Sequence, residues 1–212
     1  KAVDRLVIMG GTINAPGNII VPGFTDDNPN TQGEWNLYVD PVAADRVLRS
    51  DLPLELVGLD VTNSVRVTSE FAAAFKSRVD NPAALFWDRV LDANSWFIES
   101  GEYYFWDVLA TLVVVDRERF CRGDTMALAA HHEPTETPWW PTSDGSMPEQ
   151  ASVGAPRQHF AAETAGVLYE RDGAANTLVC RSTDAGAAFQ LFLDTLTAPA
   201  VTASGAATGN NP

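Results

Sequence analysis

The sequence predicts an α/β protein: an open, mostly parallel sheet with helices on both faces and a small antiparallel hairpin in its C-terminal part. Three observations lead there. Leu6-Val7-Ile8-Met9 is an unbroken apolar run of the length and character of a strand buried on both faces. Leu54-Glu55-Leu56-Val57-Gly58-Leu59 reads as the next strand after one helical stretch, and strand, helix, strand in so few residues is a βαβ unit, hence a parallel pair. Two shorter runs, Gly166–Glu170 and Thr177–Arg181, flank the turn-forming Asp172-Gly173, which is the pattern of a hairpin.

Taken in order, Gly10-Gly11 breaks the first strand at its carboxyl end, the edge where open α/β sheets bind ligands. A long polar loop follows; such a loop inside a compact domain is functional or disordered, and its carboxylates and amides suit a polyhydroxylated ligand. Asp40-Pro41 reads as the N-cap and first residue of a helix to about Ser50, with Ala43, Ala44, Val47 and Leu48 on one face. After the strand Leu54–Leu59, Asp60-Val61-Thr62-Asn63 stands on the same edge as Gly10-Gly11. Thr68 caps a helix over Ser69–Val79. Asn81-Pro82 opens another that runs to about Glu99, where Phe86, Trp87, Val90, Leu91 and Trp96 form a broad apolar face expected in the core. Tyr103–Asp107 precedes an apolar helix, Val108–Val115; Asp116–Gly123 is a connection and Thr125–Ala130 a strand. His131–Phe160 is rich in proline and carries adjacent Trp139-Trp140, so it reads as a long irregular insertion. A closing helix, Ala185–Leu196, leads to a flexible tail over 198–212.

Charge narrows the partners. With 28 acidic against 14 basic residues the formal net charge is −14, which disfavours nucleic acid and anionic membrane surfaces. No apolar run has the length of a membrane span. What remains is a protein that handles neutral or cationic small molecules. Cys121 and Cys180 are either one disulfide or two buried thiols. Localisation follows from them: extracellular or periplasmic if they are bonded, cytoplasmic otherwise. His131, His132 and His159 lack zinc-finger spacing and read as surface residues.

Five motifs occur in one order: MGG at Met9–Gly11, NAPGN at Asn14–Asn18, EWNLYVDPVAADRVL from Glu34, VGLDVTN at Val57–Asn63 and YYFWD at Tyr103–Asp107. Together they resemble the nucleoside hydrolases of the inosine–uridine-preferring type, well over about residues 1–120 and loosely over 160–197. The resemblance implies hydrolysis of the N-glycosidic bond of ribonucleosides, purine or pyrimidine, to free base and ribose with the help of calcium. It implies that Asn18, Glu34 and Asn36 bind ribose, where hydroxyls donate to the carboxylate and exchange bonds with the amides, contacts that strengthen as the sugar gains positive charge. The spacing departs from the family pattern by extra residues between Asn18 and Glu34, about Gly23 to Gln32.

The resemblance also implies a calcium ligand at Asp107; read from the residues alone, this aspartate is a plain helix N-cap. Trp106 takes the place of a histidine that helps the base leave. An indole is no acid at neutral pH, but it can stack on a base, a contact worth about 1–3 kcal/mol; the plainer reading is a packed aromatic. Calcium wants roughly six to eight oxygen ligands. The family's remaining ligands lie in an aspartate motif upstream of the strand that opens this chain, and Asp26-Asp27 is a carboxylate pair in the loop instead. The expectation is therefore that residues 1–197 form the C-terminal portion of a single nucleoside-hydrolase-like domain, completed by an N-terminal polypeptide that carries the missing strands, aspartates and general base, with homo-oligomers possible. The alternative is a non-catalytic relative that binds sugars or another protein.

Overall fold

The computed structural model describes residues 3–22, 24–139 and 158–198. The elements in chain order are β1 (Leu6–Met9), α1 (Trp35–Val39), α2 (Pro41–Leu48), β2 (Leu54–Val57), α3 (Leu59–Thr62), α4 (Ser69–Lys76), α5 (Pro82–Ala93) and α6 (Ser95–Glu99). They continue with α7 (Trp106–Val115), α8 (Arg117–Phe120), β3 (Arg122–Met126), β4 (Leu128–Ala130), β5 (Pro134–Trp139), β6 (Gln158–Phe160), β7 (Leu168–Glu170), β8 (Thr177–Ser182) and α9 (Ala185–Leu196). They fall into two compact units, the described parts of Lys1–Arg66 with Tyr104–Ala185, and of Val67–Tyr103 with Gly186–Pro212.

The first unit is built on a sheet of order β1-β2-β8-β3. β1, β2 and β8 run parallel, with Leu6 opposite Leu54 and Leu54 opposite Thr177, and β3 closes the far edge antiparallel to β8. The mostly parallel sheet with helices is the predicted class. β2 is buried along its whole length, as its apolar run requires. Leu54 and Leu56 join Leu48, Leu128, Ala130 and Val179 in the core. Glu55, one residue between them, points to the opposite face. It is 4% exposed and lies between Arg5 (3.5 Å) and Arg117 (3.7 Å), a buried carboxylate that the apolar pattern did not announce.

Antiparallel pairing is present, but with other partners than a hairpin. β7 pairs with β4, and β8 lies between β2 and β3. Asp172-Gly173 turns the chain, but β8 is buried on both faces at Val179 and Cys180 and takes the centre of the sheet instead of an edge. The run 125–130 is likewise two strands, parted at Ala127: β3 in the four-stranded sheet and β4 paired with β7. The ends of the expected irregular insertion are ordered: β5 and β6 pair antiparallel. Its middle, 140–157, and the tail past 198 lie outside the described residues. Cys121 and Cys180 are bonded, with Cα atoms 4.9 Å apart, which joins the end of α8 to β8.

The histidines lie at or near the surface as expected, but two of the three are anchored. His132 Nε2 lies 3.3 Å from Asp45 Oδ2, and His131 Nδ1 lies 2.8 Å from Glu133 while its ring packs on Tyr169; His159 is exposed.

The second unit holds α4, α5, α6 and most of α9. Thr68 and Asn81 cap α4 and α5 as predicted, accepting from Phe71 and Ala84 N–H, with Pro82 in the first turn. The helix expected to reach Glu99 breaks at Asn94, whose side chain donates back to the Val90 carbonyl (2.8 Å) and competes with the helical ladder. Phe71, Phe75, Trp87, Phe189 and Phe192 form an aromatic core. Phe86 and Trp96, expected inside, are more than half exposed (62% and 63%).

Candidate functional site

Two strand ends and one loop build the site. β1 ends at Met9, and Gly11, at φ +73°, turns the chain where a side chain would be strained. Gly11 N–H donates to Glu34 Oε2 (2.9 Å), and its carbonyl accepts from Leu59 N–H (2.9 Å), so this residue joins the loop to the carboxyl end of β2.

The extra residues between Asn18 and Glu34 do not separate them. Gly17 N–H donates to Thr31 O (3.0 Å) and Asn18 N–H to Gly33 O (3.2 Å), closing a neck beneath the excursion. A side chain on Gly17 would run into the Gly33 carbonyl, so the neck needs glycine there. The excursion is held by buried amides. Asn28 Nδ2 donates to the Tyr38 hydroxyl (2.7 Å), Asn30 Nδ2 donates to Ala165 O (2.9 Å), and Asn30 Oδ1 accepts from Gly33 N–H (2.7 Å). It is an Ω-like loop packed by its own side chains.

Asn18 Oδ1 accepts from Trp35 N–H (2.8 Å), one residue from Glu34. Glu34 is 1% exposed and is the N-cap of α1. Its Oε2 accepts from the N–H groups of Gly11 (2.9 Å), Asn36 (3.0 Å) and Leu37 (3.3 Å), and among the described residues no hydrogen bond reaches Oε1. Burial pushes the carboxyl above the usual carboxylate range; the backbone donors pull it back, and the negative charge of Asp107 pushes it further up. Asn36 is exposed, and its amide donates to Met9 O (3.3 Å) at the end of β1. Asn18, Glu34 and Asn36 are thus brought together at the carboxyl edge of β1.

Trp106 and Asp107 open α7, which packs on β1 and β2. The N-cap position is Phe105; Asp107 is in the first turn, exposed, where a negative charge suits the helix dipole. Trp106 is half-buried, its ring 5.7 Å from that of Tyr104. Among the described residues no group of three or more His, Cys, Asp or Glu is placed to hold a metal ion. Asp107 alone does not make a calcium site, which takes roughly six to eight oxygens.

Asp60 went unassigned in the sequence, yet it is the most heavily bonded carboxylate on this edge. Its Oδ2 accepts from Ile13 N–H (2.7 Å) and its Oδ1 from Asn14 N–H (2.9 Å) and Arg181 Nη1 (3.1 Å). Burial raises this carboxyl, but the two backbone donors, the Arg181 charge and the Thr12 hydroxyl outweigh it and hold it below the usual range. The signal available was its place just past the end of a buried strand.

Residues 1–190 match the family model described as inosine-uridine preferring nucleoside hydrolase. Nucleoside hydrolase 3 of Arabidopsis thaliana is 31% identical over 97 residues, which is 43% of this chain and 11% of that protein. A pyrimidine-specific ribonucleoside hydrolase of Photobacterium profundum is 33% identical over 90 residues, 42% of this chain and 25% of the relative. The inosine-uridine preferring nucleoside hydrolase from Bacillus anthracis superposes with a TM-score of 0.62 at 22% identity, over 91% of this chain and 51% of that structure. A purine-preferring ribonucleoside hydrolase from Gardnerella vaginalis gives 0.61 at 20%, over 89% and 50%. The chain spans about half the length of these solved structures and a quarter or less of the two curated relatives. With the motifs, the fold and the family match running over the same residues, the chain belongs to the inosine–uridine preferring nucleoside hydrolase family.

Proposed function

We propose that this chain supplies the ribose-binding part of a site that hydrolyses the N-glycosidic bond of ribonucleosides. The observation that carries the reading is Glu34: a buried carboxylate with one oxygen tied by three backbone donors and the other without a hydrogen bond among the described residues. Oε1 accepts from a ribose hydroxyl, and Asn18 and Asn36 exchange bonds with the others. These contacts tighten as the ring gains oxocarbenium character, so they favour the transition state over the bound substrate. Trp106 lines the base pocket and stacks on the departing base.

The finer proposal is a calcium-dependent reaction in which Asp107 is one metal ligand and the other ligands and the base that activates water come from an N-terminal polypeptide of the same domain. Three features support it. β1 has a hydrogen-bonded neighbour on one side only among the described residues. An apolar groove lined by Leu6, Ile8, Met9, Ala44 and Val47 runs beside it. On α7, Val114 and Val115 are exposed (55% and 69%), unusual for so apolar a helix. Strands and helices of the remaining half of the fold would cover all three. The Cys121–Cys180 bond supports an extracellular or periplasmic location. The alternative, a non-catalytic sugar- or protein-binding relative, draws on the lack of a carboxylate cluster among the described residues.

Asn36→Ala is the test. Among the described residues its side-chain amide donates to Met9 alone, to the carbonyl and the thioether sulfur, at an exposed site, so its loss costs the fold little. The expected result in the complete protein, its polypeptides established by intact mass, is a kcat/KM lower by about a hundredfold, roughly 3 kcal/mol. Unchanged kinetics would remove Asn36 from the site, and a wild-type protein that binds ribosides without turnover would favour the binding module.

A further inference from the structure

We propose that Asp60, braced by Arg181, is a positioning residue for this ribose site: it fixes the turn Thr12–Ala15 and through it the approach of Asn18 to Glu34. The inference rests on the reading of the site just given.

The geometry is a closed circuit. The loop leaves β1 at Gly11, which Glu34 Oε2 holds by its N–H (2.9 Å). The next residues are held by Asp60: Ile13 N–H and Asn14 N–H donate to its two oxygens (2.7 and 2.9 Å). The Thr12 hydroxyl donates to Ala15 O (2.7 Å) and lies 3.2 Å from Asp60 Oδ2, which curls the turn around the carboxylate. The chain then reaches Asn18, whose Oδ1 caps Trp35 N–H (2.8 Å), and so returns to Glu34. Glu34 pins one end of the 11–18 segment, Asn18 the other, and Asp60 the middle.

Asp60 is itself immobilised. Its side chain is 7% exposed, and Arg181 donates to it from β8 (3.1 Å). Arg181 in turn is steadied by Met126 Sδ, 3.3 Å from Nη2. The clamp therefore ties the loop to β8, an inner strand of the sheet, so that the ribose-binding amide is referenced to the core and not to a mobile loop. Asp60 has no place in contact with ribose. It acts by keeping Asn18 aligned, and an error of about 1 Å at such a group costs up to roughly a hundredfold in rate.

The test is Asp60→Asn in the complete protein, with Thr12→Val as a gentler variant that loosens the same turn and leaves no charge unpaired. Amide exchange at Ile13 and Asn14 reads the clamp without reference to activity, and is expected to quicken by about fivefold or more. With a ribonucleoside as substrate, kcat is expected to fall by about tenfold or more while KM moves by less than about threefold, because the misplaced contact is one that strengthens in the transition state. Thr12→Val should shift both in the same direction by less. Faster exchange with unchanged kcat would overturn the positioning role, and unchanged exchange would overturn the clamp. An inactive wild-type protein would instead remove the proposed function on which the role depends, a result distinct from active protein with indifferent variants.

Discussion

Glu34→Ala and Glu34→Gln separate what this residue does for the fold from what it does for a ligand. In the alanine variant three N–H groups lose their acceptor, and those of Gly11 and Leu37 belong to buried residues. An unpaired buried donor costs about 1–3 kcal/mol. Against this stands relief from burying a carboxylate, the same effect that raises its pKa. The balance is a loss of about 2–4 kcal/mol for alanine near neutral pH, in line with a strong N-cap plus one orphaned donor. Glutamine keeps an oxygen where Oε2 stands, gives up the charge assistance, and needs no desolvated anion; it should stay within about 1 kcal/mol of wild type.

The pH dependence provides the sharper check. A raised folded-state pKa means that the folded protein binds this proton more tightly than the unfolded chain. Stability from Glu34 is then fully present below the ordinary value near 4.5 and is lost as pH rises through the folded value. Urea unfolding from pH 4 to 7 should show the glutamine variant gaining on wild type as pH rises. Alanine within about 0.5 kcal/mol of wild type, or glutamine as damaging as alanine, would refute the account of the backbone bonds. A folded glutamine variant with lost hydrolysis would isolate the part that the proposed function assigns to ribose.

Other changes follow from the same structure. Replacing Cys121 and Cys180 together by serine opens a link between residues 59 apart in sequence, and denaturant unfolding should register a loss of about 4 kcal/mol. Asp45→Asn breaks the paired contacts to Arg49 (2.9 and 2.8 Å) and weakens those to Ala130 N–H and His132, for about 1–3 kcal/mol at pH 7. Asp45 is held below its ordinary value near 3.8, burial being outweighed by Arg49, Ala130 and His132, so its contribution is present above that value and lost as pH falls through the folded pKa. The deficit should accordingly shrink on acidification; a constant deficit from pH 7 to 3 would contradict the assignment.

Local signals in the sequence were reliable because they act locally. Asp40-Pro41, Thr68 and Asn81-Pro82 each cap the helix they announce, since a cap needs only its own next turn. The apolar runs at Leu6 and Leu54 became the parallel pair for the same reason. What could not be read was decided far away in the chain. Asp172-Gly173 says that the chain turns, not which neighbour β8 takes; that was settled by burial between β2 and β3. Asn30 looks like a turn residue until Ala165, 135 residues away, accepts from its amide. Of the candidate site, the motifs singled out Asn18, Glu34 and Asn36, which the structure brings together, whereas Asp60 went unassigned because its partners, Ile13, Asn14 and Arg181, lie on other segments.

The two halves of the site are held by different means, and this decides how each responds to change. Asn18, Glu34 and Asn36 each spend a polar atom on the backbone: on Trp35 N–H, on three N–H groups, and on Met9 O. Their rotamers are thereby fixed before a ligand arrives, and the side-chain entropy that binding would otherwise cost, up to about 2 kcal/mol for a glutamate, is lost on folding instead. Asp107 and Trp106 stand in the first turn of α7. They are placed by α7, whose Leu109, Leu112 and Val113 are buried and which packs on β1 and β2. A polar substitution in the loop therefore disturbs the aim of a neighbouring group at once, because each bond is shared with the path to the next. A conservative core change under α7 shifts Asp107 and Trp106 together and leaves the loop's hydrogen bonds intact. Hydrogen bonds set direction and packing sets depth, and the proposed site, with a sugar ring on one side and a flat base on the other, would draw on both.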